Sequence, residues 1–100
     1  SGPGGDMRKA AMLVMKDQWG EAATIWNTLS ETDNKTLAAR ASYNIALTYE
    51  RDDILDQAAL WAAYADSLAD DNKMEIYSKL LMIRMNYTDK IEKQMNGIEK

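Results

Sequence analysis

The chain contains no cysteine and no histidine. The absence of cysteine excludes disulfides, thiolate metal ligands and thiol nucleophiles, although it leaves the cellular compartment open. Histidine is the commonest general base near neutral pH, so its absence also removes histidine-dependent catalytic triads and most zinc motifs. No calcium loop and no glycine-rich phosphate loop is present. We therefore predict no cofactor, no metal and no enzymatic activity.

Residues that break helices are almost confined to the start of the chain. The sequence has one proline and five glycines, and four of these six residues lie within the first five positions, SGPGG. We predict a flexible linker or cloning remnant over 1–5 and one α-helical domain over 6–100. Because position 1 is serine, we expect the chain to be a piece of a longer protein. The predicted fold class is all-α.

The charge and the apolar runs exclude two classes of partner. The formal net charge is −4, and lysine and arginine are scattered among more numerous carboxylates. Nucleic-acid binding usually requires a basic patch, so we predict no nucleic-acid partner. No apolar run approaches the ~20 residues that span a bilayer. We predict that this segment does not insert directly into a membrane.

Apolar residues recur at helical spacing in five segments. We predict helices over about 6–18, 21–31, 34–51, 54–69 and 73–97. Residues 19–20 are expected to form the first turn. Asp6, Asn34 or Thr36, Asp53 and the segment 70–72 are expected to cap the helices that follow them, because these residue types accept hydrogen bonds from free N–H groups.

A spacing pattern repeats after 36 residues. Ala10, Leu13, Ala22 and Trp26 recur at this offset as Ala46, Tyr49, Ala58 and Ala62. Periods of this length are typical of stacked helical hairpins, each unable to bury its apolar stripe alone. The segment 39–65 forms the central hairpin. We expect Ala46 to meet Ala58, and Ala10 to meet Ala22, where two helices cross closely.

The central hairpin resembles the tetratricopeptide repeat (TPR). Asn44-Ile45-Ala46-x-x-Tyr49, with Ala58 nine residues after Tyr49, matches the small-residue contacts and aromatic plug of that family. The resemblance implies a right-handed stack of antiparallel hairpins, here about two hairpins plus a long C-terminal helix. Ser42 replaces the usual tryptophan, Ala46 the usual glycine, and the closing proline is absent.

A narrower resemblance covers about residues 8–96. It rests on Gln18-Trp19, Ala22-Ala23, Trp26, Lys35, Ala39-Arg40-Ala41, Tyr43-Asn44-x-Ala46-Leu47-x-x-Glu50, Leu55-Asp56-x-Ala58, Trp61-Ala62, Asn72-Lys73 and Tyr77. These residues resemble a family of uncharacterised Bacteroidetes envelope proteins with a TPR-like C-terminal region. The resemblance implies a parent protein that is exported to the periplasm or cell envelope, a lipoprotein being one form, and whose role is unknown.

The TPR resemblance also implies a partner-binding groove lined by the first helix of each hairpin. The implied residues are Arg40, Tyr43, Asn44, Leu47, Glu50 and Arg51 in the second hairpin, and Met7, Arg8, Ala11, Val14 and Met15 in the first. Arg40 and Asn44 are suited to a peptide carboxylate or backbone, because arginine offers a donor fork and asparagine both donor and acceptor. In the alternative interpretation, Arg40 pairs with a nearby carboxylate and Asn44 bonds the next helix.

The fifth helix carries two apolar stripes. One consists of Ile76, Tyr77, Leu80, Ile83, Tyr87, Ile91 and Ile98, and its flank carries Met74, Leu81, Met82 and Met85. Both stripes cannot face one core, and an apolar patch left outside usually marks an interface. The leading function is a scaffold or adaptor domain that binds a peptide or protein. The alternative is an oligomerisation element that self-associates through Leu81, Met82 and Met85.

Overall fold

The computed structural model describes residues 2–99 and contains five α-helices. They are α1 (Pro3–Met15), α2 (Trp19–Leu29), α3 (Lys35–Arg51), α4 (Leu55–Leu68) and α5 (Asn72–Glu99). Each helix packs against the next along the chain, and further contacts join α1 to α3 and α3 to α5. Residues 2–99 include no β-strand. The predicted all-α class is confirmed.

Helix α1 begins earlier than predicted. Pro3 is its first residue, a position where proline is favoured because the missing N–H has no partner within the helix anyway. Residues 3–5, which we had placed in a linker, are therefore helical. Asp6 lies in the first turn and does not cap the helix, so that prediction is wrong. Ser1 lies outside the described residues.

Two of the predicted caps are confirmed. The side-chain Oδ1 of Asn34 accepts a hydrogen bond of 3.2 Å from the backbone N–H of Leu37 at the start of α3. At the start of α5, Asp71 Oδ1 accepts a bond of 2.7 Å from the N–H of Met74. Each side chain satisfies one of the free N–H groups in the first turn of a helix.

The turn between α1 and α2 depends on a left-handed aspartate. Asp17 has φ of 60°, and the N–H of Gln18 reaches back to the carbonyl oxygen of Leu13 over 2.8 Å. This is the Schellman arrangement, in which a left-handed residue ends a helix. The predicted turn at 19–20 is wrong, because those residues are the first two of α2.

The same turn recurs between α3 and α4. Asp53, which follows Asp17 by 36 residues, also has φ of 60°, and the N–H of Ile54 donates to the carbonyl oxygen of Tyr49 over 2.9 Å. Asp53 therefore ends α3 and does not cap α4, contrary to the prediction; the residue before α4 is Ile54. The 36-residue offset thus reappears in the backbone conformation.

We expect Asp53→Gly to raise the free energy of unfolding by about 1 kcal/mol, since glycine adopts the left-handed conformation without a Cβ penalty. It also removes a negative charge from the C-terminal end of α3. Asp53 has a further effect, because its hydrogen bond with Glu92 raises the pKa of the Glu92 carboxyl above its usual value. Urea denaturation of the wild type and the variant at pH 4 and pH 7 measures both effects.

The sign of the pH dependence follows from the raised pKa. A carboxyl whose pKa is raised by folding contributes stability at low pH, and this contribution is lost as the pH rises through the folded-state pKa. The gain from Asp53→Gly is therefore larger at pH 7 than at pH 4. Asp17→Gly is the control, because Asp17 has the same conformation but pairs with Arg51 at 3.6 Å. An Asp53→Gly variant no more stable than the wild type at pH 7 contradicts the argument.

Two clusters of buried side chains form the core. The first contains Ala10, Ala22, Trp26, Leu29, Ala41 and Ile45, and the second contains Ala46, Ala58, Ala62, Leu81 and Met85. The four alanines predicted at helix crossings, Ala10, Ala22, Ala46 and Ala58, are each 0% exposed. The two alanines of each pair belong to the same cluster, which agrees with that prediction, although the direct contact between them stays a prediction. Small side chains allow the backbones of two helices to approach closely.

Helix α5 faces the core with the stripe that we expected to lie outside. Leu81 is 0% and Met85 2% exposed, whereas Ile83 is 65% and Tyr87 66% exposed. The predicted roles of the two stripes are therefore reversed. The side chain of Ile98, which we assigned to the outer stripe, lies outside the described part of the structure.

The buried face of α5 includes a serine. Ser78 follows Ser42 by 36 residues, and both side chains are 0% exposed. The Ser42 hydroxyl donates to the carbonyl oxygen of Ala38 at 2.7 Å, and the Ser78 hydroxyl to the sulfur of Met74 at 3.7 Å. Both are thus satisfied within their own helix, which lets a polar residue lie on a core face.

Candidate functional site

Two cavities lie along α3. The first has a volume of about 320 Å³ and is lined by Met7, Arg40, Tyr43, Asn44, Asp71, Lys73, Met74 and Tyr77. The second has a volume of about 250 Å³ and is lined by Ala11, Val14, Trp19, Trp26, Asn44 and Leu47. Because Asn44 lines both, they form one surface along α3, with α5 on one side and α1 and α2 on the other. We call this surface the α3 groove.

The first cavity combines unpaired polar groups with aromatic rings. Within the described part of the chain, the side chains of Arg40 and Asn44 form no ion pair or hydrogen bond. The ring centroids of Tyr43 and Tyr77 lie 6.2 Å apart, and the Nζ of Lys73 lies 5.8 Å from the Tyr77 ring. Two cationic groups and an amide are therefore available to a ligand beside an aromatic wall.

Asp71 also lines the first cavity, but it has a local role. Its Oδ1 accepts the hydrogen bond from Met74 N–H that caps α5. A carboxylate beside the positive end of a helix dipole is stabilised there. The charge of Asp71 is thus partly balanced by α5, while Arg40 and Lys73 give the cavity an excess of positive charge.

The second cavity is mainly apolar. Trp19 and Trp26 contact each other edge to face, with ring centroids 6.3 Å apart and planes at 65°. Trp26 is 4% exposed, and its indole Nε1–H has no acceptor among residues 2–99. Buried tryptophans usually find a partner for this group. An apolar side chain fits this cavity, because its walls are aromatic rings, Val14 and Leu47.

Two predicted site residues hold the helices together instead. Glu50 forms two hydrogen bonds to Arg84 of α5, at 2.6 and 2.8 Å, and these bonds raise the pKa of the Arg84 guanidinium above its usual value. Arg51 lies over the Trp19 ring, 4.9 Å from its centroid, and pairs with Asp17 at 3.6 Å. Glu50 thus joins α3 to α5, and Arg51 joins α3 to the start of α2.

Residues 8–93 match the model of a family described as Domain of unknown function (DUF6340). The chain belongs to this family. No curated protein and no solved structure matches it. Since the description of the DUF6340 family states no activity, the function must be argued from the groove.

In this DUF6340 domain, the structure brings together most of the residues predicted for partner binding. Arg40, Tyr43, Asn44, Leu47 and Val14 line the groove, whereas Glu50, Arg51 and Met15 line neither cavity. Sequence reasoning missed Lys73, Met74, Tyr77, Trp19 and Trp26. The 36-residue offset would not have identified those on α5, because it maps Arg40, Asn44 and Leu47 onto Ile76, Leu80 and Ile83.

Within 2–99, no three acidic side chains lie close enough together to hold a metal ion. None of the helices described for this DUF6340 domain has both the length and the apolar character needed to cross a bilayer.

Proposed function

We propose that this domain is a non-enzymatic protein-interaction module, a scaffold or adaptor that binds a peptide or protein partner in the α3 groove. One observation carries the proposal: Arg40 and Asn44 line the same cavity, and no described side chain uses the hydrogen-bonding groups of either. An arginine fork binds a carboxylate through two bonds, and an asparagine amide pairs with a peptide backbone. The apolar cavity next to them accepts a side chain of the same partner.

We also propose a TPR-like architecture for the domain, in which hairpins stack in a right-handed sense. Three features separated by 36 residues support it: the buried alanines Ala10 and Ala46, the left-handed Asp17 and Asp53, and the buried Ser42 and Ser78. Repeated units of this kind stack to form extended concave binding surfaces. In this arrangement α1, α3 and α5 are successive first helices and together line the groove.

The resemblance to Bacteroidetes envelope proteins supports a proposal about the parent protein. The domain is part of a larger exported protein in the periplasm or cell envelope. The residues upstream of Ser1 in the native gene test this proposal. An export signal or a lipoprotein signal supports it, and a start codon immediately before this segment contradicts it.

A peptide-binding experiment tests the groove. Arrays of random hexapeptides with a free C-terminal carboxylate select ligands, whose affinities for the wild type and for Arg40→Ala/Asn44→Ala are then measured by calorimetry. We expect at least tenfold weaker binding by the variant, because a charge-assisted hydrogen bond contributes about 1.5–3 kcal/mol. Blocking the carboxylate as an amide should weaken wild-type binding by a similar factor.

A matched variant separates the groove from a general effect. Asn27→Ala/Lys35→Ala removes the same kind of amide and one positive charge at exposed positions that line neither cavity. We expect its affinities to equal those of the wild type. Equal affinities for the wild type and Arg40→Ala/Asn44→Ala exclude these two residues from the site.

The alternative proposal is an oligomerisation element. Leu81 and Met85 are buried in the second core cluster, and Met82 is half-buried against it. Self-association through these three residues would require α5 to leave the core. The burial of Leu81 and Met85 therefore disfavours this alternative.

A further inference from the structure

The exposed face of α5 carries an uncovered apolar stripe. Ile76, Leu80, Ile83, Tyr87 and Ile91 are all exposed. With 3.6 residues per turn they fall within about 80° of one another, on the side of the helix opposite Leu81 and Met85. We call these five residues the α5 stripe. Most surface helices are polar on the face turned away from the core, so this pattern is unusual.

The size of the α5 stripe is that of an interaction site. With the adjoining Tyr77 it exposes on the order of 600 Å² of apolar surface, the upper end of the range for the largest apolar patch on a monomer, and such patches are often functional. From Ile76 to Ile91 the stripe is about 22 Å long, at 1.5 Å per residue. An α-helix of about 16 residues has the same length, and its i, i+3, i+4 side chains match the spacing of the stripe.

The charged residues of α5 nearest the stripe are basic, although Glu50 of α3 and Asp66 of α4 neutralise Arg84 and Lys79. Lys73, Arg84 and Lys90 lie within about 60° of the centre of the stripe, whereas the nearest carboxylate on α5, that of Glu75, lies about 120° away. Lys73 and Lys90 form no ion pair with any described residue. A basic border on a chain of net charge −4 favours an occupant that carries carboxylates.

We propose that the α5 stripe binds an amphipathic helix of a partner protein whose apolar face is bordered by glutamate or aspartate. A second copy of the chain is disfavoured, because two such faces would bring lysines against lysines at close range. A flat anionic membrane is disfavoured by the contacts between α3 and α5. The Tyr43–Tyr77 and Glu50–Arg84 pairs hold α3 beside the stripe. The stripe therefore lies next to the angle between α3 and α5, a shape that suits a helix better than a flat surface.

A pair of synthetic peptides tests the proposal with the whole chain. The acidic peptide has 18 residues, with leucines at 3- and 4-residue spacing, glutamates beside them and alanines elsewhere to favour the helix. The basic peptide has lysine at each glutamate. We expect the acidic peptide to bind with a micromolar Kd by fluorescence anisotropy, and the basic peptide at least tenfold more weakly. Added salt should weaken binding of the acidic peptide.

Variants assign the binding to the α5 stripe. Ile83→Ser/Tyr87→Ser should lower the affinity for the acidic peptide at least tenfold. Leu60→Ser changes an equally exposed apolar residue on α4 and should leave this affinity unchanged. Lys73→Glu/Lys90→Glu should reverse the preference between the two peptides, and Lys90→Glu alone, at a position that lines neither cavity of the groove, should reduce it. Because the substituted side chains are exposed, circular dichroism and the unfolding midpoint are expected to match the wild type.

Several outcomes overturn the proposal. Equal affinity for both peptides, or binding that Ile83→Ser/Tyr87→Ser does not weaken, excludes an acidic helix as the occupant. Self-association in sedimentation velocity that this double variant abolishes assigns the face to a second copy. If the wild type binds neither peptide but cosediments with phosphatidylserine vesicles, and the same double variant does not cosediment, the face binds a membrane. Lys73 and Tyr77 line the α3 groove as well, so the separation rests on other residues: Asn44→Ala affects binding in the groove, whereas Ile83→Ser/Tyr87→Ser changes residues that line neither cavity.

Discussion

Leu81→Ala is expected to lower the free energy of unfolding by about 3 kcal/mol, since truncating a fully buried leucine removes its transfer free energy and leaves a cavity. Leu81 is 0% exposed in the cluster that joins α4 and α5 to α3. A loss of this size is a large part of the 5–15 kcal/mol that stabilises a typical domain. Urea denaturation followed by circular dichroism at 222 nm measures it.

Ile83→Ala is the matched control for Leu81→Ala. Ile83 lies two residues further along the same helix and is 65% exposed, so its truncation should change the free energy of unfolding by less than about 0.5 kcal/mol. Both substitutions shorten an aliphatic side chain on α5, so their difference reports which face is buried. A larger loss from Ile83→Ala than from Leu81→Ala contradicts the orientation of α5.

Ala58→Leu is expected to lower the free energy of unfolding by about 2–3 kcal/mol through overpacking. Ala58 is 0% exposed and belongs to the same cluster as Ala46 and Ala62. Three more carbon atoms at this position must separate α3 from α4 or force side chains out of their preferred rotamers. Leucine is also a good helix former, so the loss cannot come from helix propensity.

Ala63→Leu makes the same change on the exposed side of α4. We expect its stability to lie within about 0.5 kcal/mol of the wild type. Thermal unfolding of both variants, followed by circular dichroism, should show a lowered midpoint for Ala58→Leu alone. If Ala58→Leu is tolerated as well as Ala63→Leu, the close crossing of α3 and α4 is wrong.

Much of the helical architecture followed from the sequence. The alanine pattern at 36-residue spacing correctly identified buried positions on α1 to α4. The caps at Asn34 and the segment 70–72 were also found, because a side-chain oxygen at a helix start acts on N–H groups only two or three residues away. The turn signals were less reliable. Asp53 was read as the start of α4, although it ends α3, because aspartate suits both positions.

The candidate groove was predicted in part. Arg40 and Asn44, which the TPR resemblance implies for the groove, line its first cavity. The same resemblance implies Glu50 and Arg51, but they make ion pairs with residues of other elements, Arg84 on α5 and Asp17 in the first turn. Long charged side chains reach several ångströms sideways, and the partner they meet depends on how the helices pack.

The sequence by itself determined the helices and the 36-residue repeat, because propensity, capping and spacing act over a few residues at a time. Only the tertiary structure decided which face of α5 is inside. Both faces are apolar, and the face with Ser78 and Leu81 is buried because it matches the surface presented by α4 and α3. Which face is buried depends on how well the helices pack together, and these helices are separated along the chain. The hydrophobicity of α5 alone therefore does not predict its buried face.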